Sequence, residues 1–168
     1  ALALFGGVSR LRGSTSGHGS SSFLLSSNAY INVSIPATSV RRHIMGAHNG
    51  GVDAFDVFIH TWSKGLEHEL KEAYRPVAAL FEDNRAREIE IRARLPPGLI
   101  CAQNQSYCAF SAASQALSQS EVLNLVAHTE DDCGHKYDKV VLYRPDVLVW
   151  GKDMLLSKYD PARVTANG

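Results

Sequence analysis

The stretch FDVFIH at residues 55–60 decides the fold prediction, because nearly every residue in it is apolar. A strand with one wet face alternates between apolar and polar residues, whereas a strand covered on both faces is apolar throughout. A helical pattern follows, in which Leu66, Leu70 and Tyr74 recur at a spacing of four. The next apolar run covers residues 77–81. A strand, a helix of crossover length and a second strand are typical of a βαβ unit in a parallel sheet.

The same alternation of strands and helices extends in both directions from this unit. Apolar runs that end in turn residues predict further strands, and periodic segments predict further helices. Together they predict an α/β, Rossmann-like fold with a mostly parallel, doubly wound sheet flanked by helices. The predicted strands are residues 1–5 and 139–143, with extended structure again at 147–150. The predicted helices are residues 37–45 and two pieces within 103–128, the second capped by Ser118 and Glu121, with a turn at 131–134.

The length and composition allow one domain. The chain has 168 residues, of which 45% are hydrophobic and 20% are charged, and this balance is typical of a globular chain with one core. Residues 13–27 are rich in Ser and Gly, which predicts a flexible loop. Because the chain begins at Ala1 rather than at methionine and stops shortly after Asp146, we expect residues 1–168 to be a single domain that is part of a longer protein.

The charge balance excludes some classes of partner. Lys and Arg together number 17, as do Asp and Glu, so the formal net charge is zero. Nucleic-acid binding relies on an excess of positive charge, so we expect no nucleic-acid partner. No run approaches the roughly 18 apolar residues that cross a bilayer, so we expect no membrane segment within this chain. A small anionic ligand, held by two or three local arginines, remains compatible with this composition.

Polar and charged residues follow the predicted strands at the point where each strand ends. Ligands of open α/β sheets bind beyond the carboxyl ends of the strands. Arginines, a tryptophan and carboxylates at one edge suit a phosphorylated ligand that has a flat group to stack and a metal to hold. The residues expected there are Gly6, Gly7 and Arg10 after the first strand, His60, Thr61 and Trp62 after the second, Glu82 and Asp83 after the third, and Arg144 and Asp146 after the fourth.

Each of these residues also has a purely structural interpretation. Gly6-Gly7 is a common turn pair, His60 could be a structural histidine, and Trp62 could serve packing alone. Arg144 and Asp146 could form an ion pair across Pro145 that contributes little to stability. The prediction of a site therefore depends on the whole set.

Three segments carry a resemblance to a known family. Residues 56–62 are DVFIHTW, residues 74–83 contain YRP followed by ED, and residues 136–147 are KYDKVVLYRPDV. In this order, they resemble the D-V-F-I-H-T-W, Y-x-P…E-D and K-Y-D-x-V-[IL]-x-x-R-P-D segments of a group of GT-A-like glycosyltransferases from bacteria, algae and large viruses. The segment from Phe5 to Arg10 resembles the opening G-x-x-R of the same group.

The resemblance implies a GT-A-like nucleotide-binding half and a glycosyltransferase activity. A protein of this kind binds a nucleotide-sugar donor and transfers the sugar to a glycan or a similar acceptor. The resemblance assigns donor binding to Gly6, Gly7 and Arg10 near the nucleotide, to His60 and Trp62 at the pocket wall, and to Arg144 at the diphosphate.

The resemblance also implies a divalent metal, Mn or Mg, on the donor diphosphate. GT-A enzymes usually hold it with an Asp-x-Asp motif, and Arg144-Pro145-Asp146 stands at the corresponding place. Asp146 would be the metal ligand. Arginine replaces the first aspartate, and Arg144 could instead neutralise the diphosphate directly as the nucleoside diphosphate leaves.

Two alternatives and the location remain open at the level of sequence. The chain could be a non-catalytic or degenerate α/β binding module that lacks the acceptor half, or a different Rossmann-like nucleotide enzyme such as a hydrolase or methyltransferase. The triplets Asn32-Val33-Ser34 and Asn104-Gln105-Ser106 would permit N-glycosylation in a secretory or Golgi lumen, if the protein is eukaryotic. A cytoplasmic location is the alternative.

Overall fold

The computed structural model describes residues 1–7, 32–93, 105–149 and 152–159. Within these ranges the chain alternates between strands and helices, as the sequence predicts. The strands are β1 (Leu2–Gly6), β2 (Val57–Thr61), β3 (Ala78–Phe81) and β4 (Val141–Tyr143). The α-helices are α1 (Ser34–His43), α2 (Glu67–Tyr74), α3 (Glu88–Ala93) and α4 (Gln105–Cys133), and short 3-10 turns lie at Ala47–Asn49, Val52–Ala54, Lys64–Leu66 and Leu156–Lys158.

The strands form one all-parallel sheet in the order β3-β2-β1-β4. β1 pairs with β2 from Leu2 opposite Val57 to Gly6 opposite Thr61, and with β4 from Leu2 opposite Val141. The order of the strands reverses at β1, since β2 and β3 lie on one side of it and β4 on the other. The predicted α/β class is confirmed, and the architecture is consistent with a Rossmann-like fold.

Both faces of the sheet are covered, which explains why all five residues of β2 are buried and why Val57, Phe58 and Ile59 follow one another without a polar residue between them. On one face, buried side chains of α1 and α2 pack against Leu2, Leu4 and Ile59. On the other face, Val122 and Val126 of α4 pack against strand residues that include Phe58. Each fully buried aliphatic or aromatic side chain contributes about 1.5–3 kcal/mol to stability. The second core is the one that matters for the site, because α4 covers the strand ends there.

Helix α4 is a single helix, so the prediction of two helices within residues 103–128 is wrong. Its sequence contains neither proline nor glycine, and the two residues expected to cap a second helix have other partners. The hydroxyl of Ser118 bonds into the sheet, and Glu121 pairs with Arg87. The helix also runs through most of the turn predicted at 131–134, and it ends where Gly134 takes a φ of +69°.

The remaining predictions about segments have mixed outcomes. Residues 147–149, predicted as extended structure, form no strand. The predicted Ser/Gly-rich loop at residues 13–27 lies outside the described residues, as does Arg10. None of the helices within the described ranges has both the length and the apolar character that a membrane span requires.

Candidate functional site

The carboxyl edge of the sheet brings several of the predicted residues to one end of the fold. Gly6 ends β1, Glu82 follows β3 and Arg144 follows β4. The last aligned pair of β1 and β4 is Leu4 and Tyr143, so the chain leaves β4 two residues earlier than it leaves β1, which ends at Gly6. In open α/β sheets, the place where strand order reverses is where connections diverge and a ligand crevice forms. Here that place is between β1 and β4.

A tight turn follows β4, and hydrogen bonds hold it on both sides. The amide of Val147 donates to the carbonyl of Arg144 at 3.3 Å, and Pro145 occupies the position of such a turn that its fixed φ favours. The hydroxyl of Tyr143 donates to the carbonyl of Val147 at 3.1 Å. The hydroxyl of Tyr74, at the end of α2, donates to the carbonyl of Pro145 at 3.4 Å. The backbone that carries the Arg-Pro-Asp sequence is therefore anchored to the rest of the fold.

Arg144 and Asp146 form a bidentate ion pair inside this turn. Nε and Nη2 of Arg144 donate to Oδ1 and Oδ2 of Asp146 at 3.0 and 2.8 Å. The side chain of Asp146 is 4% exposed, whereas that of Arg144 is 39% exposed. The hydrogen bond with Asp146 raises the pKa of Arg144 above its already high ordinary value, so the guanidinium stays charged. The turn thus presents a fixed, half-exposed positive charge.

The residues around Asp146 do not fit a divalent metal ion. Both carboxylate oxygens already accept hydrogen bonds from a guanidinium, whose positive charge opposes a second cation at the same place. Mg²⁺ and Mn²⁺ need several oxygen ligands in a defined geometry. Among the described residues, no group of three or more His, Cys, Asp or Glu side chains could hold such an ion.

The side chains of His60 and Trp62, which the resemblance places at a pocket wall, both make hydrogen bonds to α4. His60 is fully buried, with Nδ1 at 2.7 Å from Oγ of Ser118 and Nε2 at 2.9 Å from Oε2 of Glu82. The indole N–H of Trp62 donates to the carbonyl of Ser114 in α4 at 3.1 Å, and its ring meets the His60 ring edge-on at 4.6 Å. Both residues therefore join the sheet to α4, and neither presents its polar atoms to a ligand.

A chain of buried hydrogen bonds runs from β1 through His60 to β3. The amide of Gly6 donates to Oγ of Ser118 at 2.7 Å. A carboxylate only accepts hydrogen bonds, so the proton of neutral His60 is on Nε2 and is donated to Glu82. Nδ1 then accepts from the hydroxyl of Ser118. The ends of β1, β2 and β3 are joined to α4 by this chain, which we call the His60 network.

Arg87 closes the solvent side of the His60 network. Its Nη1 donates to Glu82 at 2.9 Å and lies 2.8 Å from a carboxylate oxygen of Glu121 in α4. Its Nε and Nη2 donate to Glu90 at 2.7 and 2.9 Å. One guanidinium thus faces three carboxylates. With His60 neutral, the group carries a net negative charge, which makes this part of the edge unfavourable for a phosphate.

A serine hydroxyl, an imidazole and a carboxylate in series are also the components of a catalytic triad, but Ser118, His60 and Glu82 cannot act as one. Ser118 and His60 are both 0% exposed, so a substrate has no access to the hydroxyl. The same oxygen already accepts the amide hydrogen of Gly6. The role of the His60 network is structural, which agrees with the absence of a G-x-S-x-G sequence.

Burial sets the protonation state of the His60 network. Burial lowers the pKa of His60, and the hydrogen bond with Glu82 only partly offsets this effect. Burial alone would raise the pKa of Glu82, but its hydrogen bonds with His60 and Arg87 outweigh burial and lower that pKa. Both shifts favour the same state, in which the imidazole is neutral and the carboxylate is charged.

The folded protein is therefore expected to lose stability as the pH falls from about 7 to about 5. The unfolded chain protonates His60 near its ordinary pKa of about 6.5, whereas the folded chain does so only at lower pH, so acid favours unfolding. Glu82 adds to the loss below about pH 4.5, its ordinary pKa. Urea unfolding at a series of pH values measures the effect. The variant His60→Gln should show a shallower dependence above pH 5, and an unchanged slope would contradict the role of His60.

Ser118, Arg87 and Glu121, which contact the His60 network or belong to it, are not among the site residues predicted from the sequence. The sequence predicts Ser118 and Glu121 as the cap of a second helix, and it assigns no helix or strand to the charged segment around Arg87. One available signal was that Ser114 and Ser118 lie on the same helix face as Val122. A serine pair on the apolar face of a helix indicates hydrogen bonding toward the core.

Comparisons with known proteins were made by family, by sequence and by structure. Neither the protein-family models, nor the curated proteins, nor the solved structures contain a match to this chain.

Proposed function

We propose that this chain is a GT-A-like glycosyltransferase domain that binds a nucleotide-sugar donor between β1 and β4. The observation that carries the proposal is the reversal of strand order at β1, with Gly6 and Gly7 at the end of β1 and the half-exposed guanidinium of Arg144 just after β4. Ligands of open α/β sheets bind at such reversals. The ordered resemblance of residues 56–62 and 136–147 to GT-A-like glycosyltransferases supports the choice of a nucleotide sugar.

Each side of this crevice supplies one requirement of donor binding. Gly6 has a backbone φ of +96°, which residues other than glycine rarely adopt. A pair of glycines without side chains lets a phosphate approach the backbone closely. Arg144 offers a fixed positive charge to the diphosphate. During transfer, the bond between the sugar and the diphosphate breaks with its electrons on the departing diphosphate, and a nearby guanidinium stabilises that charge.

The charge distribution along the edge supports this location over the end of β3. The group around Arg87 has three carboxylates and one guanidinium, and its net negative charge repels a diphosphate. The pair of Arg144 and Asp146 is neutral, and its exposed partner is the cation. A donor diphosphate is therefore better accommodated beside β4.

The substitution Arg144→Gln is expected to weaken the binding of a nucleoside diphosphate at least about tenfold, since a hydrogen-bonded charge contact contributes about 1.5–3 kcal/mol. Titration calorimetry with UDP, GDP and their sugar conjugates measures the loss. Arg92→Gln is the matched control, because the contacts of Arg92 among the described residues are a surface pair with Glu88 and a contact with the Phe110 ring, and its helix α3 is not adjacent to β4 in sequence. Failure of the wild-type chain to bind any of these nucleotides would contradict the proposal.

A non-catalytic binding module is the second candidate, and one observation favours it. Two groups of this edge that could act as bases, His60 and Asp146, are buried and hydrogen-bonded to other side chains of the protein. Transfer of radiolabelled sugar from a bound donor to an acceptor, or to water, distinguishes the two functions. Donor binding without any release of the sugar favours the module.

A further inference from the structure

The side-chain contacts at the end of β4 differ from the metal site that the resemblance implies, and they indicate a different way of holding an anion. The two oxygens of Asp146 are at 3.0 and 2.8 Å from two nitrogens of one guanidinium. This arrangement places Arg144 where a metal bound to Asp146 would have to lie. The side chain of Asp146 is also 4% exposed, so a hydrated ion has little access to it.

The guanidinium keeps donors for a second partner. Arginine has five N–H donors in a rigid plane, and the pair with Asp146 uses one on Nε and one on Nη2. The Nη1 hydrogens and the second Nη2 hydrogen lie on the other edges of the plane. With the side chain 39% exposed, this part of the group can reach solvent or a ligand. Such a fork matches two oxygens of a phosphate.

Asp146 fixes the orientation of this fork. A free arginine loses rotamer entropy when a ligand immobilises it. Here the bidentate pair immobilises the guanidinium beforehand, and the hydroxyls of Tyr74 and Tyr143 hold the turn that carries both residues. Ligand binding then avoids most of that ordering cost.

We propose that the Arg144–Asp146 corner binds the phosphate or pyrophosphate group of its ligand directly through the guanidinium, without a metal ion, and that Asp146 is a positioning residue. The inference rests on the proposed function, because it assigns the chemistry of the same crevice. It differs from the expectation drawn from the resemblance, in which Asp146 holds Mn or Mg.

The test measures the affinity for inorganic pyrophosphate and for UDP by calorimetry, once in EDTA and once in Mn²⁺. We expect the wild-type dissociation constants in the two buffers to agree within about threefold, a free-energy difference below about 0.7 kcal/mol. Equal affinity for pyrophosphate and UDP would show that the protein recognises the phosphates alone. Tighter binding of UDP would show that the nucleoside also contacts the protein beside the same corner.

A double-mutant cycle tests the positioning role of Asp146. Arg144→Lys keeps the charge but loses the fork, and Asp146→Asn keeps the size of the side chain but loses its charge. If Asp146 acts by orienting the fork, Asp146→Asn weakens binding several-fold beside Arg144 but has little further effect beside Lys at position 144. A merely structural Asp146 would give the same loss in both backgrounds.

A double variant serves as the control for loss of binding that is caused by unfolding. Arg144→Gln alone leaves a buried carboxylate without its cation, which can destabilise the turn. The double variant Arg144→Gln/Asp146→Asn removes both charges, so we expect it to retain the fold, as checked by circular dichroism, and to lose anion binding in both buffers. Retained binding by the double variant would overturn the inference.

The outcomes separate this inference from the proposed function. Binding that requires Mn²⁺ and disappears in EDTA overturns the metal-free corner and leaves nucleotide binding intact. A loss on Asp146→Asn that occurs only in Mn²⁺ identifies Asp146 as a metal ligand. Absence of binding by the wild-type chain in both buffers contradicts the proposed function itself.

Discussion

Replacing His60 with alanine is expected to lower the free energy of unfolding by about 3–5 kcal/mol. His60 is fully buried in β2 between two other strands and α4. Truncation removes its packing against α4 and leaves a cavity. It also deprives Ser118 and Glu82 of the nitrogens to which they are bonded. Urea denaturation followed by circular dichroism measures the change.

Two further variants separate the causes of this loss. His68→Ala is the matched control, since His68 is exposed on α2, and its cost should stay within about 0.5 kcal/mol. His60→Gln fills part of the space and can still form hydrogen bonds, so its cost should lie between those of the other two. Equal effects at positions 60 and 68 would show that the His60 network contributes nothing measurable.

Replacing Arg87 with methionine is expected to cost about 2 kcal/mol, less than a fully buried ion pair because the four side chains are 21–40% exposed. The change keeps most of the aliphatic stem but removes the cation that faces Glu82, Glu90 and Glu121. These three carboxylates then repel one another, and Glu82 keeps only its bond to His60 among the contacts described above. Equilibrium unfolding at neutral pH measures the loss.

The pH dependence of this second loss identifies its cause. Acid that protonates Glu82, whose pKa its hydrogen bonds with His60 and Arg87 lower, removes part of this repulsion, so the difference between wild type and Arg87→Met should shrink at low pH. Arg85→Met is the control, because Arg85 is exposed two residues away. A penalty that is the same at all pH values would assign the effect to lost packing instead of charge.

The sheet could be predicted from the sequence because its signals are local. Residues 57–59 are three consecutive apolar residues, and Leu66, Leu70 and Tyr74, which recur at the spacing of four just before and within α2, are all buried. The predicted strand at 139–143 is confirmed over Val141–Tyr143. Patterns with periods of two or four residues need only the chain neighbours to be interpreted.

The environment of the site could not be predicted in the same way, because it depends on contacts between distant residues. The contacts of His60, which the resemblance places at a pocket wall, could not be predicted, since Ser118, 58 residues away, turns its hydroxyl inward from α4. The burial of Asp146 depends likewise on the fold around the turn, and Tyr74, 71 residues from Pro145, bonds to that turn. Sequence spacing carries no information about such pairs.

The hydrogen bond between Gly6 and Ser118 has a consequence for how this fold can grip an anion. Many phosphate loops form a nest, in which successive backbone amides point at one oxygen. In this chain the amide of Gly6 donates to Ser118 in α4, so it is not free to take part. A nest at the end of β1 would have to start at the following residue, Gly7. An anion bound at this edge is then held mainly by a side-chain cation, the guanidinium of Arg144 just after β4, and less by backbone amides.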